Sequence, residues 1–442
     1  MFKPLIRNFT GTPSAGFFLL RNCFFPTPLS VVEAAVRQEV SGHYSRVLEP
    51  AVGDGALLAA LDGNFSALVA FDINEDNLAK VSSRMSHVEG QHIKLECSDF
   101  LKSDSLGEFD LILANPPFDN NLSNHVLWAG RKIPIEAAFV VKCLSLLSPL
   151  GKAVFILPSS VVVGDKCAWL RNKLLADYFV KSVVKLPKYS FKKVEGGFYV
   201  LTVINEKRHG YRVLLAYDEL SYELSSCFIR EQGGGLDPER LLVSAKYSDV
   251  LNKTGVVDLC SLAEISRGNV CATGKKDYLY HSTNFSSHAA YEKPMVRGAN
   301  SSAVLKQFDL ALKRVGRGAS DSFSVYQSKK CAPCSDCIIK IAPKEKSKIS
   351  SYRLLLMLRV SVLLGGNALF EISGGGANYI SLGRLRELRI PDFIDFKDDK
   401  VIRRYASYIE REQIFKARSM EKDLESKLLY MMGCADVVRS NA

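Results

Sequence analysis

Four residues at the end of an apolar segment have the types and spacing needed to activate an amine. Asn115, Pro116, Pro117 and Phe118 directly follow the apolar run 111–114. The Asn115 carboxamide oxygen and the Pro116 carbonyl are two acceptors that could bind both hydrogens of one planar NH₂ group, because Pro117 restricts the backbone there. The Phe118 ring could stack on a planar heterocycle. Such an amine becomes a nucleophile, because its lone pair is drawn out of conjugation; the alternative is a turn that only ends a strand.

A glycine turn with acidic residues precedes this motif. The segment 46–61 predicts a strand, a turn at Gly53 and Gly55, and a helix. The two glycines let the backbone approach a ligand at the helix N-terminus, where Glu49 or Asp54 provides a carboxylate. A carboxylate disfavours phosphate and favours a cationic ligand, such as one with an ammonium group. The spacing also differs from the dinucleotide fingerprint GxGxxG, which argues against NAD.

Two further carboxylates end the next predicted strands. Asp72 ends the segment 67–74, roughly 20 residues after the glycine turn, where doubly wound folds hold a ribose diol. Asp99 and Phe100 end the segment 92–101. The Asp99 carboxylate could accept a hydrogen bond from an adenine amino group while the Phe100 ring packs on the base; the alternative for Asp99 is a helix cap.

A parallel sheet is needed to bring these residues together. Apolar strands alternate with helical patterns up to residue 206, which predicts an α/β fold with a doubly wound, Rossmann-like sheet of about seven strands. In such folds, ligands bind outside the carboxyl ends of the strands. The residues expected to meet there are Gly53, Asp72, Asp99 and Asn115.

The chain is longer than one hydrophobic core usually supports, so more than one domain is expected. We predict an N-terminal extension at residues 1–24, an α/β catalytic domain at 25–210, a linker region at 211–250 and a smaller α+β domain at 251–442. Gly233 to Gly235 and Pro238 indicate the linker. The tail from Lys400 to Met432 has the pattern of one long amphipathic C-terminal helix.

The basic residues are unevenly distributed. The 442 residues include 58 Lys and Arg against 47 Asp and Glu. Residues 1–250 contain 27 of each kind, so the net charge of +11 arises from residues 251–442, with 31 against 20. This excess predicts contact with a polyanion; the alternative is a basic surface that is only solvated. The residues expected to contact phosphate groups are Lys313, Arg314 and Arg317, in a glycine-containing loop, and Arg384 and Arg386.

The eleven cysteines lack paired spacing, which favours a reducing compartment over a disulfide framework. Cys331, Cys334 and Cys337 could ligate a metal together with His281 or His288. No second pair of ligands follows, so we favour free thiols and predict no metal. No apolar run reaches membrane-spanning length, and no convincing secretory signal is present. We therefore expect a soluble, cytoplasmic protein without a membrane partner.

The order of these motifs resembles that of S-adenosylmethionine-dependent adenine-N6 DNA methyltransferases of the gamma type, in which the cofactor motifs precede the catalytic one and target recognition follows. The resemblance covers about residues 20–206. More weakly, the segments VGRGASDS and GGGANYISLGRLRELRIPD resemble the target recognition domains of type I specificity subunits and of stand-alone adenine methyltransferases.

The resemblance implies a role for each matching residue. Asn115, Pro116, Pro117 and Phe118 match the catalytic motif, with Phe where relatives also use Tyr. Either Phe191 or Phe198 matches the aromatic residue that flanks the target base together with Phe118, and Phe191 matches better. The cofactor-binding residues implied are Phe25, Thr27, Pro28, Glu49, Pro50, Gly53, Gly55, Asp72, Asp99 and Phe100. Asp72 stands where many relatives have Glu, which shortens its reach.

The resemblance implies site-specific, adenine-specific methylation of double-stranded DNA, with S-adenosyl-L-methionine as cofactor, in a restriction-modification system or as stand-alone modification. A separate restriction endonuclease or specificity subunit is a further partner that this role would allow. Three alternatives stay open: methylation of RNA, methylation of a protein glutamine amide, and a catalytically idle DNA-binding subunit. No motif encodes the recognition sequence or the oligomeric state.

Overall fold

The computed structural model describes residues 26–86, 90–118, 125–128, 130–187, 190–191, 197–270, 279–282, 289–290, 301–316, 318–345, 347–373 and 378–431. Contacts within the chain define two compact units, which comprise the described residues up to Glu239 and those from Arg240 onward. They are called unit 1 and unit 2. Within the described ranges, no helix is both long and apolar enough to span a membrane.

Unit 1 is a mixed α/β structure built on a large, mostly parallel sheet. Its strands are β1 (Tyr44–Glu49), β2 (Phe65–Asp72), β3 (His92–Cys97), β4 (Phe109–Ala114), β5 (His125–Trp128), β6 (Arg131–Pro134), β7 (Leu147–Pro158), β8 (Phe179–Lys185), β9 (Phe198–Ile204), β10 (Arg212–Tyr217) and β11 (Leu220–Ser225). The main sheet has the order β11-β10-β8-β9-β7-β4-β1-β2-β3, while β5 and β6 form a separate hairpin. Strand β9 pairs antiparallel with both β7 and β8.

The sheet has nine strands, so the predicted count of seven is wrong. The two additional strands, β10 and β11, come from the segment predicted to be a linker region. They form a hairpin with a two-residue turn, in which Asp218 has a φ of +49°. Strand β10 alternates buried Val213 and Leu215 with exposed Arg212 and Leu214, the period-2 pattern of a half-buried strand. The nearby glycines, which suggested a linker, lie beyond this hairpin.

The helices of unit 1 flank this sheet. They are α1 (Leu29–Val31), α2 (Glu75–Met85), α3 (Ile135–Ser145), α4 (Ser159–Val162), α5 (Ala168–Asp177) and α6 (Ser226–Glu231), with short irregular turns at Val32–Val36, Arg37–Glu39, Leu57–Leu61, Phe100–Lys102 and Asp165–Cys167. Helix α2 begins at an Asn74 cap, whose side chain accepts from Asp76 N at 3.0 Å. Strand β4 is central and buried, as its apolar sequence predicts, and pairs in parallel with β1 and β7.

Unit 2 combines small sheets with a helical layer. Its strands are β12 (Gly255–Asp258), β13 (Ala263–Arg267), β14 (Ala289–Ala290), β15 (Val304–Leu305), β16 (Leu310–Lys313), β17 (Ser324–Tyr326), β18 (Ala332–Pro333), β19 (Ile338–Pro343), β20 (Glu371–Ser373), β21 (Asn378–Ile380) and β22 (Arg389–Asp392). Its helices are α7 (Pro238–Lys253), which begins in unit 1, α8 (Leu259–Leu262), α9 (Lys348–Leu363), α10 (Asn367–Phe370), α11 (Leu382–Arg386), α12 (Asp399–Glu410) and α13 (Ile414–Met431), with a short turn at Ile394–Lys397. The largest of the sheets has the order β13-β19-β16-β17-β14.

The single C-terminal helix predicted from the sequence is two helices. Helix α12 ends at Glu410, and α13 begins at Ile414. Between them Glu412 adopts a φ of +57°, which no α-helix can contain, and Gln413 N donates to Tyr408 O at 2.7 Å. The continuous alternation of charged and apolar residues hid this break, because a positive φ at a non-glycine residue leaves no mark in the pattern.

A buried ion pair joins these helices to α9. Arg359 Nε donates to Glu421 Oε1 at 2.8 Å, and Tyr405 OH donates to the same oxygen at 2.5 Å. The side chains of Arg359 and Glu421 are only 4% and 3% exposed. Burial, together with the negative charge of Glu421, raises the pKa of Tyr405 well above its usual value, so the phenol stays a donor.

We expect Glu421→Ala to lower the free energy of unfolding of unit 2 by about 3 kcal/mol, because it removes the buried carboxylate from Arg359 and leaves this charge with the exposed Asp321, whose Oδ1 lies 3.1 Å from Arg359 Nη2. Urea denaturation followed by the fluorescence of the chain measures this change. Lys397→Ala is the control: it removes the exposed pair with Asp392, for which about 1 kcal/mol or less is expected. An equal decrease in both variants would contradict the structural role assigned to the buried pair.

Candidate active site

Strands β1, β2, β3 and β4 end around one cavity of about 700 Å³ in unit 1. Most of the residues predicted for the site line it: Thr27, Glu49, Pro50, Gly53, Asp72, Asp99, Phe100, Asn115, Pro116, Pro117 and Phe118. Pro28, Gly55 and Phe191 are not among the lining residues, and Phe25 lies outside the described residues. The cavity therefore joins the predicted catalytic motif to the predicted cofactor motifs in one space.

The glycine turn is fixed to the end of β2 by Asp72. Asp72 Oδ2 accepts from Gly53 N at 2.8 Å, and its Oδ1 accepts from Asn74 N at 2.8 Å. Gly53 has a φ of +53°, and Gly55 has a φ of +81°. A Cβ on Gly55 would lie 3.1 Å from Val81 Cγ2, so this glycine serves the turn and its packing on α2. Gly53 is the glycine whose backbone borders the cavity.

Glu49 is the buried carboxylate of the site. The residue is 1% exposed, it lines the cavity, and its Oε2 has no hydrogen-bond partner among the described residues. Burial raises the pKa of Glu49 well above its usual value, and the negative charges of Asp54 and Asp72 raise it further. Asp54, the alternative anion in the sequence, also borders the cavity but has Arg84 Nη2 at 3.8 Å from its Oδ2. Glu49 is therefore the carboxyl group of the site that has no positively charged partner among the described residues.

Asp99 caps a helix, which is one of the two roles predicted for it. Its Oδ1 accepts from Leu101 N at 3.0 Å and so caps the short helix Phe100–Lys102. Its Oδ2 is buried and makes no hydrogen bond to any described residue, although Lys102 Nζ lies 3.6 Å away. Because the cap uses one oxygen only, the second remains an acceptor at the wall of the cavity.

The Phe100 ring is almost fully buried, with 1% of the residue exposed. Its centroid lies 5.5 Å from that of Phe71 and 5.4 Å from that of Phe139. Phe100 thus forms part of the cavity wall within an aromatic cluster, and most of its surface is already covered. The sequence did not identify Phe139, although its place on the buried face of α3 follows from the helical pattern.

Thr27 orients the side chain of Asn115. Asn115 Nδ2 donates to Thr27 Oγ1 at 2.9 Å, and Thr27 is 9% exposed. With its NH₂ group held by Thr27, the carboxamide presents its oxygen in a different direction, as an acceptor needs. The resemblance implied Thr27 as a cofactor residue; the bond to Asn115, 88 residues away in the sequence, was not predicted.

The aromatic residues predicted to flank a base lie together. The Phe118 centroid is 6.0 Å from that of Phe191, edge to face, and 4.9 Å from that of Phe198. Phe191 and Phe198 are themselves 4.5 Å apart. All three are buried in one hydrophobic cluster, so a base could stack between Phe118 and Phe191 only after these rings separate. The geometry does not distinguish Phe191 from Phe198 as the second ring.

Several lining residues carried no sequence signal of function, namely Ile73, Asn77, Cys97, Ser98 and Ile135. Ile73 is 49% exposed directly after Asp72, so it provides an apolar surface at a strand end. Asn77 is buried, and its Nδ2 lies 3.4 Å from Asp72 Oδ1. Its position one turn into α2 after an acidic strand end is the only signal that could have identified it.

The predicted basic residues of unit 2 are partly engaged in the fold. The Arg314 guanidinium lies 6.0 Å from the centroid of the Tyr379 ring, and burial and the neighbouring Arg267 lower the pKa of Arg314. Arg386 is exposed, and its Nη2 donates to Ile265 O at 2.8 Å. Lys313 and Arg384 are half-buried, and Arg317 lies outside the described residues. Arg267, the neighbour of Arg314, was not among the basic residues that the sequence indicated. Its Nε donates to Asp336 O at 2.9 Å.

The cysteine cluster occupies three different environments. Cys334 is buried in an apolar cluster, and burial raises the pKa of its thiol to about 12. Cys331 is exposed, and Cys337 is half-buried. In the described part of the chain, no group of three His, Cys, Asp or Glu side chains could hold a metal ion. His288, one of the two histidines considered as ligands, lies outside that part.

Residues 21–223 match a protein-family model described as N-6 DNA methylase. The matched range contains the glycine turn, both acidic strand ends and the Asn115 motif. The family resemblance drawn from the motifs is therefore confirmed for this part of the chain. Residues 224–442 lie outside the matched range.

Solved structures with similar folds include two methyltransferase subunits. The modification subunit of a putative type I restriction enzyme from Vibrio vulnificus YJ016 is 14% identical over 49% of this chain, with a TM-score of 0.40. The type I restriction-modification methyltransferase subunit from Streptococcus thermophilus is 19% identical over 49% of this chain, also with a TM-score of 0.40. This chain covers 58% of the length of each of these two proteins. The type IIG restriction endonuclease BpuSI is 12% identical over 92% of this chain and 66% of its own, with a TM-score of 0.46.

Proposed function

We propose that this chain, whose residues 21–223 match the N-6 DNA methylase family, transfers a methyl group from S-adenosyl-L-methionine to the N6 amino group of an adenine in a specific DNA sequence. One observation carries the proposal: a single cavity contains the Asn115 motif together with the three carboxylates of Glu49, Asp72 and Asp99. We assign the activity to a restriction-modification system or to stand-alone modification, with a restriction endonuclease or a specificity subunit as a further partner in the first case.

The residues of the cavity fit the proposed cofactor. Glu49 Oε2 is a buried acceptor without a hydrogen bond among the described residues, and an ammonium group would satisfy it. Asp72 already accepts from Gly53 N, Asn74 N and Asn77 Nδ2, which leaves about one of its four lone-pair sites for a ribose hydroxyl. Asp99 Oδ2 would accept from the adenine amino group, with Phe100 and Phe139 as the apolar wall. A volume of about 700 Å³ lies within the usual range for ligand sites, roughly 300–1,000 Å³.

The chain's own residues supply positioning. When bound, the cofactor offers a methyl group on a positively charged sulfur, which needs no further activation. Asn115 Oδ1 and Pro116 O would accept the two N6 hydrogens of the adenine, so that its nitrogen lone pair points along the line to the methyl carbon. In the proposed transfer the adenine nitrogen would bond to the methyl carbon as the carbon–sulfur bond breaks, its electron pair would remain with sulfur, and one N6 proton would leave to solvent. The amine cannot reach this position while the base is stacked in duplex DNA, so extrusion of the adenine is part of the proposal.

The Phe118 ring would stack on the extruded base. Because Phe118, Phe191 and Phe198 touch one another when no base is present, the base must displace one of these rings. Either Phe191 or Phe198 can complete the sandwich, and both are large apolar surfaces at the edge of the catalytic motif. Rings that pack on one another without a base also keep this part of the unit closed to water.

A transfer assay tests the proposed function. The full chain is incubated with cofactor labelled in its methyl group and with duplex DNA, RNA or protein in separate reactions, and the modified nucleoside is identified by mass spectrometry. We expect label in DNA as N6-methyladenine. Label in RNA or on a protein glutamine would replace the proposal by one of the two enzymatic alternatives. Cofactor binding without transfer to any acceptor would favour the idle DNA-binding subunit.

We further propose that unit 2 contacts the phosphate groups of the DNA, since the excess of positive charge lies in residues 251–442. The proposed contacts are Lys313, Arg314, Arg317, Arg384 and Arg386. Such contacts position a protein on DNA, and sequence specificity needs further contacts to base edges.

We expect the double variant Arg384→Gln and Arg386→Gln to weaken DNA binding and to reduce the slope of log K against log salt concentration by about 0.9 for each phosphate group that is no longer neutralised. Fluorescence anisotropy between low and moderate salt measures this slope. The control replaces Arg403 and Arg404, two exposed arginines of α12, by Gln and removes the same charge from the same unit. Equal slopes for both double variants would mean that DNA binding depends only on the net charge of unit 2. The phosphate-binding role assigned to Arg384 and Arg386 of α11 would then be wrong.

A further inference from the structure

Lys142 of α3 is a half-buried lysine that the proposed mechanism does not use. Its Nζ donates to Phe100 O at 2.6 Å and also donates to Ser103 O. The same Nζ lies 4.8 Å from the centroid of the Phe100 ring. Burial lowers the pKa of Lys142, whereas the carboxylates of Asp104 and Asp99 act in the opposite direction. A lysine that gives its donors to two backbone carbonyls holds the segment that contains them.

That segment is the wall of the cavity where the adenine of the cofactor is proposed to bind. It begins at Asp99, continues through the short helix Phe100–Lys102 and closes with Ser103 N donating to Phe100 O at 3.2 Å. A helix of one turn has little stability of its own, because most of its end groups lack partners within it. The bond from Leu101 N orients the Asp99 carboxylate within this segment, and contacts from outside are needed to hold the segment itself.

Helix α3 provides these contacts from one face. Phe139 and Lys142 are three residues apart and so are neighbours on the helix surface. Phe139 packs on the ring of Phe100, while Lys142 binds its carbonyl. The segment is therefore held through a side chain and through the backbone by one rigid element, which itself begins at Ile135, another residue of the cavity wall.

We propose that Lys142 is a positioning residue that aims Asp99 Oδ2 at the 6-amino group of the cofactor's adenine, and that it thereby sets the preference of the site for an aminopurine. This oxygen has Lys102 Nζ at 3.6 Å but no hydrogen bond to a described residue. This inference rests on the proposed function, since it assumes that the cavity binds an adenosine. It adds a determinant of cofactor selectivity, on a helix that contributes no residue to the motifs identified in the sequence.

The test compares two ligands that differ at one position of the purine. S-adenosylhomocysteine has an amino group at C6, whereas S-inosylhomocysteine has an oxygen there, which would face the Asp99 carboxylate as acceptor against acceptor. Isothermal titration calorimetry gives Kd for both ligands in the full chain. We expect the wild type to prefer the adenosyl ligand strongly. We expect Lys142→Met to raise the Kd of the adenosyl ligand about tenfold and the Kd of the inosyl ligand much less. The ratio of the inosyl Kd to the adenosyl Kd should therefore fall.

Two further variants complete the design. Lys142→Arg keeps a cation with several donors, and it should recover most of the wild-type ratio. Lys152→Met is the matched control: Lys152 is also half-buried and donates to a backbone carbonyl, Glu39 O at 2.8 Å, but Glu39 does not line the cavity, whereas Phe100 does. We expect Lys152→Met to leave both Kd values unchanged.

The outcomes separate this inference from the proposed function. Equal weakening of both ligands by Lys142→Met would assign Lys142 a purely structural role and overturn the inference, as would unchanged binding of both. Should Lys142→Met fail to fold, Lys142→Gln, which is shorter and uncharged, replaces it. A lower ratio of the inosyl Kd to the adenosyl Kd than in the wild type would support the inference, and an unchanged ratio would overturn it. If the wild type binds neither ligand, the proposed function itself is wrong and the inference falls with it.

Discussion

Asn115→Ala will reduce the rate of methyl transfer to DNA by about a thousandfold, because it removes an acceptor that positions the amine in the transition state. The Kd of the chain for S-adenosyl-L-methionine should change by less than about twofold, since the carboxylates assigned to the cofactor remain. Single-turnover transfer of labelled methyl groups measures the rate, and calorimetry measures the affinity. Transfer at a rate near that of the wild type would exclude Asn115 from the catalytic role.

A graded variant separates the presence of the Asn115 oxygen from its orientation. Thr27→Val keeps the carboxamide but removes the hydroxyl that accepts from Asn115 Nδ2 at 2.9 Å. The carboxamide then lacks the hydrogen bond that fixes its orientation, and we expect transfer to slow by about tenfold, close to the value of one ordinary hydrogen bond. A decrease as large as that of Asn115→Ala would show that Thr27 has a second role, such as direct contact with the cofactor.

The positions of the site residues could be predicted because each is indicated by the residues next to it in the sequence. Asp72, Asp99 and Asn115 each follow an apolar run, and the alternation of strands and helices places the ends of parallel strands at one edge of a sheet. The lining of the cavity agrees with this reasoning for most of the residues that the motifs indicated. Phe25, at the N-terminal end of these motifs, lies outside the described residues.

Contacts between distant segments could not be predicted in the same way. Three contacts depend on how distant elements pack, which no local pattern encodes. They are the hydrogen bond from Asn115 to Thr27, the hydrogen bond from Lys142 to Phe100 O, and the packing of the three phenylalanine rings on one another. The hairpin β10–β11 was missed for a different reason: its short alternating strands compete with nearby glycines that suggest a linker.

The choice between Glu49 and Asp54 also needed the structure. Both residues adjoin the glycine turn in the sequence, and either could neutralise a cationic ligand. Their surroundings in the fold distinguish them. Asp54 has Arg84 nearby, whereas Glu49 is buried without a positive partner among the described residues. A buried carboxylate without a partner destabilises the ligand-free fold, and such a group is retained where a ligand satisfies it.

Glu49→Gln should therefore have opposite effects on stability and on binding. We expect S-adenosyl-L-methionine to bind about a hundredfold more weakly, because the variant cannot form a charge-assisted hydrogen bond in this buried site. At the same time the ligand-free variant should unfold at a higher temperature than the wild type above the usual Glu pKa of about 4.3, because burial penalises the ionised form of the wild-type carboxyl group. Differential scanning fluorimetry with and without cofactor measures both effects. Asp54→Asn is the matched control, and we expect it to change the Kd by less than about threefold, as for a partly exposed ion pair.

The pH dependence follows from the direction of the Glu49 pKa. The pKa of Glu49 is raised in the folded chain, so its carboxyl group contributes most to stability below the unfolded pKa, near about 4.3, and that contribution is lost as the pH rises towards the folded pKa. The advantage of Glu49→Gln in unfolding temperature should consequently grow as the pH rises from the unfolded pKa of about 4.3 towards the folded pKa. Wild-type affinity for the cofactor should rise over the same range, up to the pKa of the ligand's own ammonium group at roughly 8, because only the ionised carboxylate attracts it. The Gln variant should lack this rise, and an equal rise in both proteins would mean that another group binds the ammonium.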